Sequence, residues 1–290
     1  MKNEGIISTL YTLILSLTFP FIIEAATYSI TLKVNTTGIV EVINDTYLQG
    51  LSNIKVDGTS VLSTPKKNTV NIDDINSEIR LDWTSRQSKC DFMFASLTNI
   101  TEIDLSSFDF RQVTTMAYMF YNCISLKSIK FASNINTGYL KLMNSTFACC
   151  YSLESLDISK FDLSKVEYMG GVFYACHSLE SLDLSNLNMN KNLVFASAFR
   201  DCFNLKSLDL TGASANSAVH FAYMFLNCYS LISLDLSSFY NNQTDKNYYT
   251  MTAYMFQNCT SLIYVNMPNF FTMKTNFFFP CFLDAIIYNM

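Results

Sequence analysis

Glycine, proline and charge are scarce in this chain of 290 residues, which contains 8 glycines and 4 prolines. The scarcity of glycine and proline excludes collagen-like and linker-rich architectures and disfavours glycine-rich phosphate-binding loops. Charged residues make up only 15% of the sequence, and 24 acids face 19 bases. Because nucleic-acid-binding domains carry clustered basic residues, no nucleic-acid partner is expected.

Histidine is scarcer still, and the two copies, His177 and His220, offer little to an enzyme or a metal site. A hydrolase needs a nucleophile, a base and an orienting group, and most metal sites need several clustered ligands. Both histidines occupy variable places in a repeated template, and the chain has no G-x-S-x-G, P-loop or H-E-x-x-H motif. We therefore predict a protein that is not an enzyme, with no catalytic residues, no metal and no cofactor.

Hydrophobic residues supply half of the sequence, enough for a substantial core. The uncharged run at residues 6–23 follows Lys2 and leads directly into Ala25 and Ala26 after one glutamate. This layout is typical of a secretory signal peptide, which we assign to residues 1–26; an uncleaved membrane anchor is the alternative. The sequence thus predicts a secreted or cell-surface protein with no membrane span in its mature chain.

A repeated motif, C-x-S-L-x-x-L-x-L with close variants, governs the larger part of the chain. Its cysteines are 26 or 27 residues apart, except for one interval of 31. A fixed period of this length indicates stacked structural repeats, in which each unit buries its apolar face against its neighbours. The motif cysteines are Cys123, Cys150, Cys176, Cys202, Cys228 and Cys259, and a degenerate copy follows at Cys281.

Each repeat has two halves with different hydrophobic periods. Segments such as residues 182–184 alternate apolar and polar side chains, as a half-buried strand does. Upstream of each cysteine, as in residues 116–123, the apolar side chains follow the i, i+3, i+4, i+7 spacing of a two-turn helix. The pattern predicts an α/β fold, a solenoid with one short parallel strand and one short helix in each repeat of about 26 residues.

The motif resembles the BspA-type leucine-rich repeat of microbial surface proteins. The resemblance rests on Met119-Phe120-Tyr-Asn-Cys123-Ile-Ser-Leu126, on Leu182-Asp-Leu-Ser185 and on Phe161-Asp162, and it covers about residues 91–275. Two segments, Ile129-Lys-Phe131 and Val265-Asn-Met267, depart from the L-D-L pattern. The resemblance implies a curved leucine-rich-repeat solenoid on a cell surface, with adhesion or host-protein binding as its usual role.

Residues 27–89 lack the repeat, and two of their segments alternate apolar and polar side chains as strands do. A segment of about 60 residues is marginal for independent folding. We therefore predict a small β-rich cap on the first repeat, with Trp83 at the junction; a separate carbohydrate-binding domain is the alternative. The repeats then occupy residues 90–290 and end in a degenerate unit.

The motif cysteines share one position in successive repeats and therefore form a column. Buried thiols that act as small hydrophobic groups and disulfides between neighbouring repeats both fit the sequence, and we favour the thiols. A zinc site is not expected, because ligands from successive repeats lie in a line, whereas zinc needs a tetrahedron.

The predicted ligand-binding surface is the exposed face of the strands, which we call the sheet face. In L-D-L the leucines point inward, so the aspartates and adjacent serines project outward, and a row of ring side chains, the ring row, lies near the edge. The aspartates either attract cations and basic side chains or merely keep the sheet soluble. The predicted residues are Asp157, Asp183, Asp209, Asp235, Ser181 and Ser207 on the strands and Tyr151, His177, Phe203 and Tyr229 in the ring row.

Rings beside carboxylates are typical of an interaction surface, because the rings supply buried area and the carboxylates steer a partner. We therefore expect the sheet face to bind a protein or another host or matrix macromolecule, as in adhesion. A structural surface-layer or spacer protein without a specific ligand is the first alternative, and an extracellular hydrolase is a distant one.

Overall fold

A computed structural model describes four parts of the chain, namely residues 28–63, 68–185, 187–239 and 251–268. The predicted signal peptide, the extra residues of the long repeat interval and the degenerate copy at Cys281 lie outside the described residues. Within the described parts, no helix combines the length and the hydrophobicity that crossing a bilayer requires.

The prediction of an α/β solenoid with one helix per repeat is wrong. The described residues form twelve short strands in several small sheets, and their one helix is a 3-10 helix at Asp45–Gly50, which precedes the repeats. The segments predicted to be helical, such as residues 116–123, are instead successions of tight turns. We call this part of each repeat the turn segment.

Backbone hydrogen bonding explains why the turn segment is not a helix. The N–H groups of Met119, Tyr121 and Cys123 donate to the carbonyl three residues earlier, which closes tight turns. Between them, the N–H groups of Tyr118 and Asn122 donate to carbonyls of the next repeat at 2.9 and 2.8 Å. Both of these residues have a positive φ, 58° and 60°, which turns their N–H groups out of the path of a helix. The i to i−4 bonds of an α-helix are therefore replaced.

The turn segments stack their side chains as well as their backbones. Met116, Met119, Phe120 and Cys123 are all fully buried, so the apolar spacing identified the inward side chains correctly. One phenylalanine of each repeat stacks on its equivalent in the next, with ring centroids 5.4 to 5.7 Å apart. Each repeat thereby buries the apolar face of its neighbour. The stacked rings are those of Phe94, Phe120, Phe147, Phe173, Phe199, Phe225 and Phe256.

The motif cysteines form a buried column of free thiols, as the favoured prediction stated. Each thiol donates a hydrogen bond of 2.9 to 3.2 Å to a phenylalanine carbonyl of the preceding repeat. Burial raises the pKa of the Cys202 thiol to about 12. The members with this bond are Cys123, Cys150, Cys176, Cys202, Cys228 and Cys259.

The L-D-L segments form short parallel strands, and the ladder that they build is interrupted. The equivalent segment of the third repeat, residues 155–157, belongs to no strand. The strands that do form make three parallel pairs, and the second pair is not hydrogen-bonded to the third. The parallel pairs are β7 (Ile100–Leu105) with β8 (Ser128–Phe131), β9 (Ser181–Asp183) with β10 (Ser207–Asp209), and β11 (Ser233–Asp235) with β12 (Tyr264–Asn266).

The N-terminal segment continues the sheet of the first repeat. Its strand β1 (Tyr28–Val34) lies between β6 (Glu78–Trp83) and β7 and is antiparallel to both. Trp83 is fully buried and packs edge-on against Phe108 of the first repeat, with centroids 6.0 Å apart. The remaining strands of this segment are β2 (Gly38–Glu41), β3 (Leu51–Val56), β4 (Thr59–Ser63) and β5 (Thr69–Ile72).

The N-terminal segment also supplies donors to carbonyls of the first turn segment. The N–H of Asn44 donates to the carbonyl of Met93 at 2.9 Å, and the hydroxyl of Tyr47 donates to the carbonyl of Asp91 at 2.8 Å. These carbonyls have no preceding repeat to bond with. The segment therefore covers the exposed end of the stack with hydrogen-bond donors as well as with apolar side chains.

Replacing Leu208 by alanine should lower the free energy of unfolding by about 2–5 kcal/mol, because its side chain is only 7% exposed and the deletion leaves a cavity. The matched control is Ile232→Ala, which removes similar atoms from a side chain that is 49% exposed and should cost less than about 1 kcal/mol. Urea unfolding followed by circular dichroism measures both. Equal losses would contradict the assignment of Leu208 to the shared core.

Cys176, Cys202 and Cys228 should resist iodoacetamide in the folded protein and react fully after denaturation without reductant. The reactive form is the thiolate, and burial raises the pKa of all three thiols. Mass spectrometry counts the modified cysteines. A Ser159→Cys variant, placed at an exposed position, is the control that should react in the folded state. Peptide mapping that found a disulfide between repeats would refute the prediction.

Candidate functional site

The ring row is held in place by the motif residue that lies two places after each cysteine. Ser178 donates its N–H and its hydroxyl to the carbonyl of Tyr151, at 3.1 and 2.8 Å. Asn204, at the same place in the following repeat, donates its side-chain amide to the carbonyl of His177 at 2.8 Å. Each bond crosses from one repeat to the next, so the residues of the ring row are fixed one above another.

The four predicted residues of the ring row form one continuous stack. The ring centroids of Tyr151 and His177 are 4.6 Å apart with an interplanar angle of 5°, and those of His177 and Phe203 are 4.4 Å apart at 12°. Tyr229 continues the stack at 5.4 Å from Phe203. Tyr151 and Tyr229 are 39% and 42% exposed. Because the rings lie face against face, the inner ones can offer only their edges to a partner.

His177 is uncharged in this stack at neutral pH. Burial lowers the pKa of its imidazole, and the nearby carboxylate of Asp201 opposes that effect only in part. The other histidine, His220, lies outside the ring row and is bridged to Val194 and Met251 of the neighbouring repeats. Burial lowers the pKa of His220 as well.

Each aspartate of the sheet face caps the turn that follows its own strand. One carboxylate oxygen accepts the backbone N–H of the residue two places later, at 2.7 to 2.9 Å. Hydrogen bonds from the side chains of Ser159 and Ser185, together with these backbone hydrogen bonds, lower the pKa of Asp157 and Asp183. Aspartate followed two places later by serine or threonine is a known turn pattern, and it was the sequence signal for this role. The capping residues are Asp104, Asp157, Asp183, Asp209 and Asp235.

The aspartates differ in the partner of their second carboxylate oxygen. Asp104 forms an ion pair with Lys130 at 2.8 Å, and the second oxygen of Asp235 accepts a hydrogen bond from Asn266 at 3.1 Å. Asp157, Asp183 and Asp209 lie between these two ends. Among the residues that the structure describes, no cation lies within ion-pair distance of these three carboxylates.

Two open grooves lie on the sheet face where the strand ladder is interrupted. The larger, of about 650 Å³, spans β9, β10 and β11 and reaches Tyr264. It brings together the predicted residues Asp183, Asp209, Asp235, Ser181 and Ser207. Asp157 lies apart from them, in a second groove of about 430 Å³. Both volumes are within the range of ligand-binding clefts.

Sequence reasoning missed the second groove. Its lining includes Lys130, Leu156 and Lys160, none of which was predicted as a site residue. Lys130 stands where most of the other repeats carry the strand aspartate, which marks an atypical repeat but does not reveal the break in the ladder. Within the described parts of the chain, no group of three or more histidine, cysteine or carboxylate side chains is placed to hold a metal ion.

Two overlapping segments of the chain, residues 88–211 and 142–264, match the family described as "Mycoplasma protein of unknown function, DUF285". A search of curated proteins finds no match. The matched residues span more than half of the chain and coincide with the stacked repeats. The chain therefore belongs to this DUF285 family.

Proposed function

We propose that the protein is secreted or displayed on a cell surface and binds a protein or another host or matrix macromolecule through its sheet face. The observation that carries the proposal is the continuous, partly exposed stack of the ring row, and the open grooves on the strands support it. Aromatic side chains are enriched in protein interfaces, and grooves of this size bury side chains of a partner. The function is attachment, and it requires no chemistry from the site.

The rigidity of the ring row favours binding. Association loses free energy when side chains must be ordered at the interface, by about 0.5–1.5 kcal/mol for each flexible one. Tyr151, His177 and Phe203 are already ordered by stacking and by the hydrogen bonds beneath them. A partner therefore meets a preorganised surface, and less of its interaction energy is lost on binding.

The orientation of the rings favours a protein partner over a carbohydrate. Sugars pack on exposed aromatic faces, and the faces of His177 and Phe203 are covered by their neighbours in the stack. Ring edges carry partial positive charge and suit carbonyl and carboxylate oxygens, which a polypeptide presents along its length. The carboxylates of Asp157, Asp183 and Asp209, which form no ion pair with a described cation, add attraction toward basic side chains, and this attraction steers association and weakens with salt.

The surface location rests on the sequence. The predicted signal peptide implies export, and the resemblance of the repeats to the BspA-type leucine-rich repeats of microbial surface proteins implies display at a cell surface. We include membership of that group in the proposal, with repeats built from short strands and tight turns.

A structural spacer without a specific ligand is the second candidate, and one observation favours it. Every strand aspartate uses a carboxylate oxygen to cap its own turn, so the recurrence of aspartate is explained without any ligand. The ring row has no comparable structural explanation at its exposed edge. Variants of the two features therefore separate the candidates.

Replacing Tyr151, Phe203 and Tyr229 together by serine should lower attachment at least tenfold, because truncating a few central aromatic residues removes most of the binding energy of an interface. Replacing Asp157, Asp183 and Asp209 together by asparagine should slow association and reduce its salt dependence. Asparagine keeps the oxygen that caps each turn, so only the charge changes. Attachment of the labelled protein to cultured cell monolayers and to immobilised basement-membrane extract measures both effects.

The control is Lys165→Asn with Lys191→Asn, two exposed lysines outside the sheet face. Circular dichroism confirms that all variants are folded. If the control variant lowers attachment as much as either face variant does, the proposal fails and the structural spacer becomes the better supported function.

A further inference from the structure

The third repeat leaves a break in the strand ladder. Residues 155–157 exchange no backbone hydrogen bonds with β8 or β9, and the nearest crossing bond is from the N–H of Glu154 to the carbonyl of Lys127 at 3.1 Å. Leu156 is only partly buried, whereas its equivalents Leu182 and Leu208 are 3% and 7% exposed. The break therefore opens the apolar layer beneath the sheet face at this repeat.

The groove of about 430 Å³ lies over this break. Its floor is apolar, with Ile129, Phe131, Leu156 and Phe161 among the lining residues. A groove of this volume accommodates one large apolar side chain and leaves room for the group next to it. Burial of this apolar surface by a partner side chain is favourable.

The rim of the groove carries one cation that forms no ion pair among the described residues. Lys130 and Lys160 both line it, and Lys130 is paired with Asp104. Lys160 is exposed, and no carboxylate among the described residues lies within ion-pair distance of its ammonium group. Asp157 also lines the groove and attracts Lys160 from beyond that distance. The larger groove differs in that its charged lining is entirely acidic, with Asp183, Asp209 and Asp235 and no lysine or arginine.

We infer that the smaller groove is an anchor site for a segment of a partner protein in which a large apolar residue lies next to an acidic one. The apolar side chain enters the groove, and the carboxylate pairs with Lys160. This inference rests on the proposed function and specifies the partner of the same face.

The larger groove fixes the direction and the spacing of that segment. Neighbouring strands are about 4.8 Å apart, so the aspartates two or three repeats farther along lie about 10–15 Å from the anchor. An extended chain covers this distance in three to four residues, at about 3.3 Å each. The partner segment therefore carries lysine or arginine three to four positions from its apolar and acidic pair.

Selection of a phage-displayed library of random twelve-residue peptides on the purified mature chain tests the inference. The enriched peptides should carry an apolar and an acidic residue side by side, with a basic residue three to four positions away. Fluorescence anisotropy of the synthetic peptides then measures affinity for the wild type and for variants.

Two variants address the groove without touching the core. Ser155→Trp, at an exposed position on the rim, fills the groove, and Lys160→Glu reverses the charge of the rim. Each should weaken peptide binding at least tenfold, whereas Lys191→Glu, the same charge change at an exposed position off the sheet face, should change it less than twofold. A peptide whose acidic residue is replaced by lysine should regain affinity for the Lys160→Glu variant.

The outcomes separate this inference from the function on which it rests. Peptides that depend on the ring row but bind the Ser155→Trp and Lys160→Glu variants normally would overturn the anchor site and leave the proposed function standing. Peptides blocked by Ser155→Trp but indifferent to Lys160→Glu would overturn the acidic part of the assignment, and the inference with it. A selection that yields no peptide sensitive to any sheet-face variant would overturn both.

Discussion

Backbone hydrogen bonds that cross between turn segments are the constraint on which the rest of the molecule depends. In each turn segment, alternate N–H groups donate to the next repeat, and the groups between them close turns inside the repeat. A single repeat would leave its crossing donors unpaired, and a buried unpaired backbone group costs about 1–3 kcal/mol. The stacked phenylalanines, the thiol column and the ring row follow, because these bonds set the step from one repeat to the next.

The hydrophobic pattern predicted which side chains point inward and not how the backbone is bonded. Met116, Met119, Phe120 and Cys123 are buried as their spacing indicated, yet that spacing suits a helix and a succession of tight turns equally well. The partner that decides between them is a carbonyl in the next repeat, such as that of Asn144 for the N–H of Tyr118. A local pattern carries no information about a partner 26 residues away, so the helix prediction failed.

The candidate site likewise has features that the sequence pattern predicts and features that it does not. Position in the repeat was enough to bring Tyr151, His177, Phe203 and Tyr229 into one stack, because a periodic sequence places equivalent residues one above another. The capping role of the aspartates was readable from the serine or threonine two places later, but it was not recognised. The break at residues 155–157 was not readable at all, because it depends on how three consecutive strands pack.

The backbone hydrogen bonds that cross between turn segments run in one sense, with N–H donors on the C-terminal side of each turn segment and carbonyl acceptors on the N-terminal side. The stack consequently has two chemically different ends, and Asn44 and Tyr47 supply donors to the acceptor end. A duplicated repeat inserted at any internal position would meet acceptors on one side and donors on the other. The length of the array can therefore change by whole repeats during evolution, each adding about 4.8 Å of reach, while the N-terminal end stays closed to further growth.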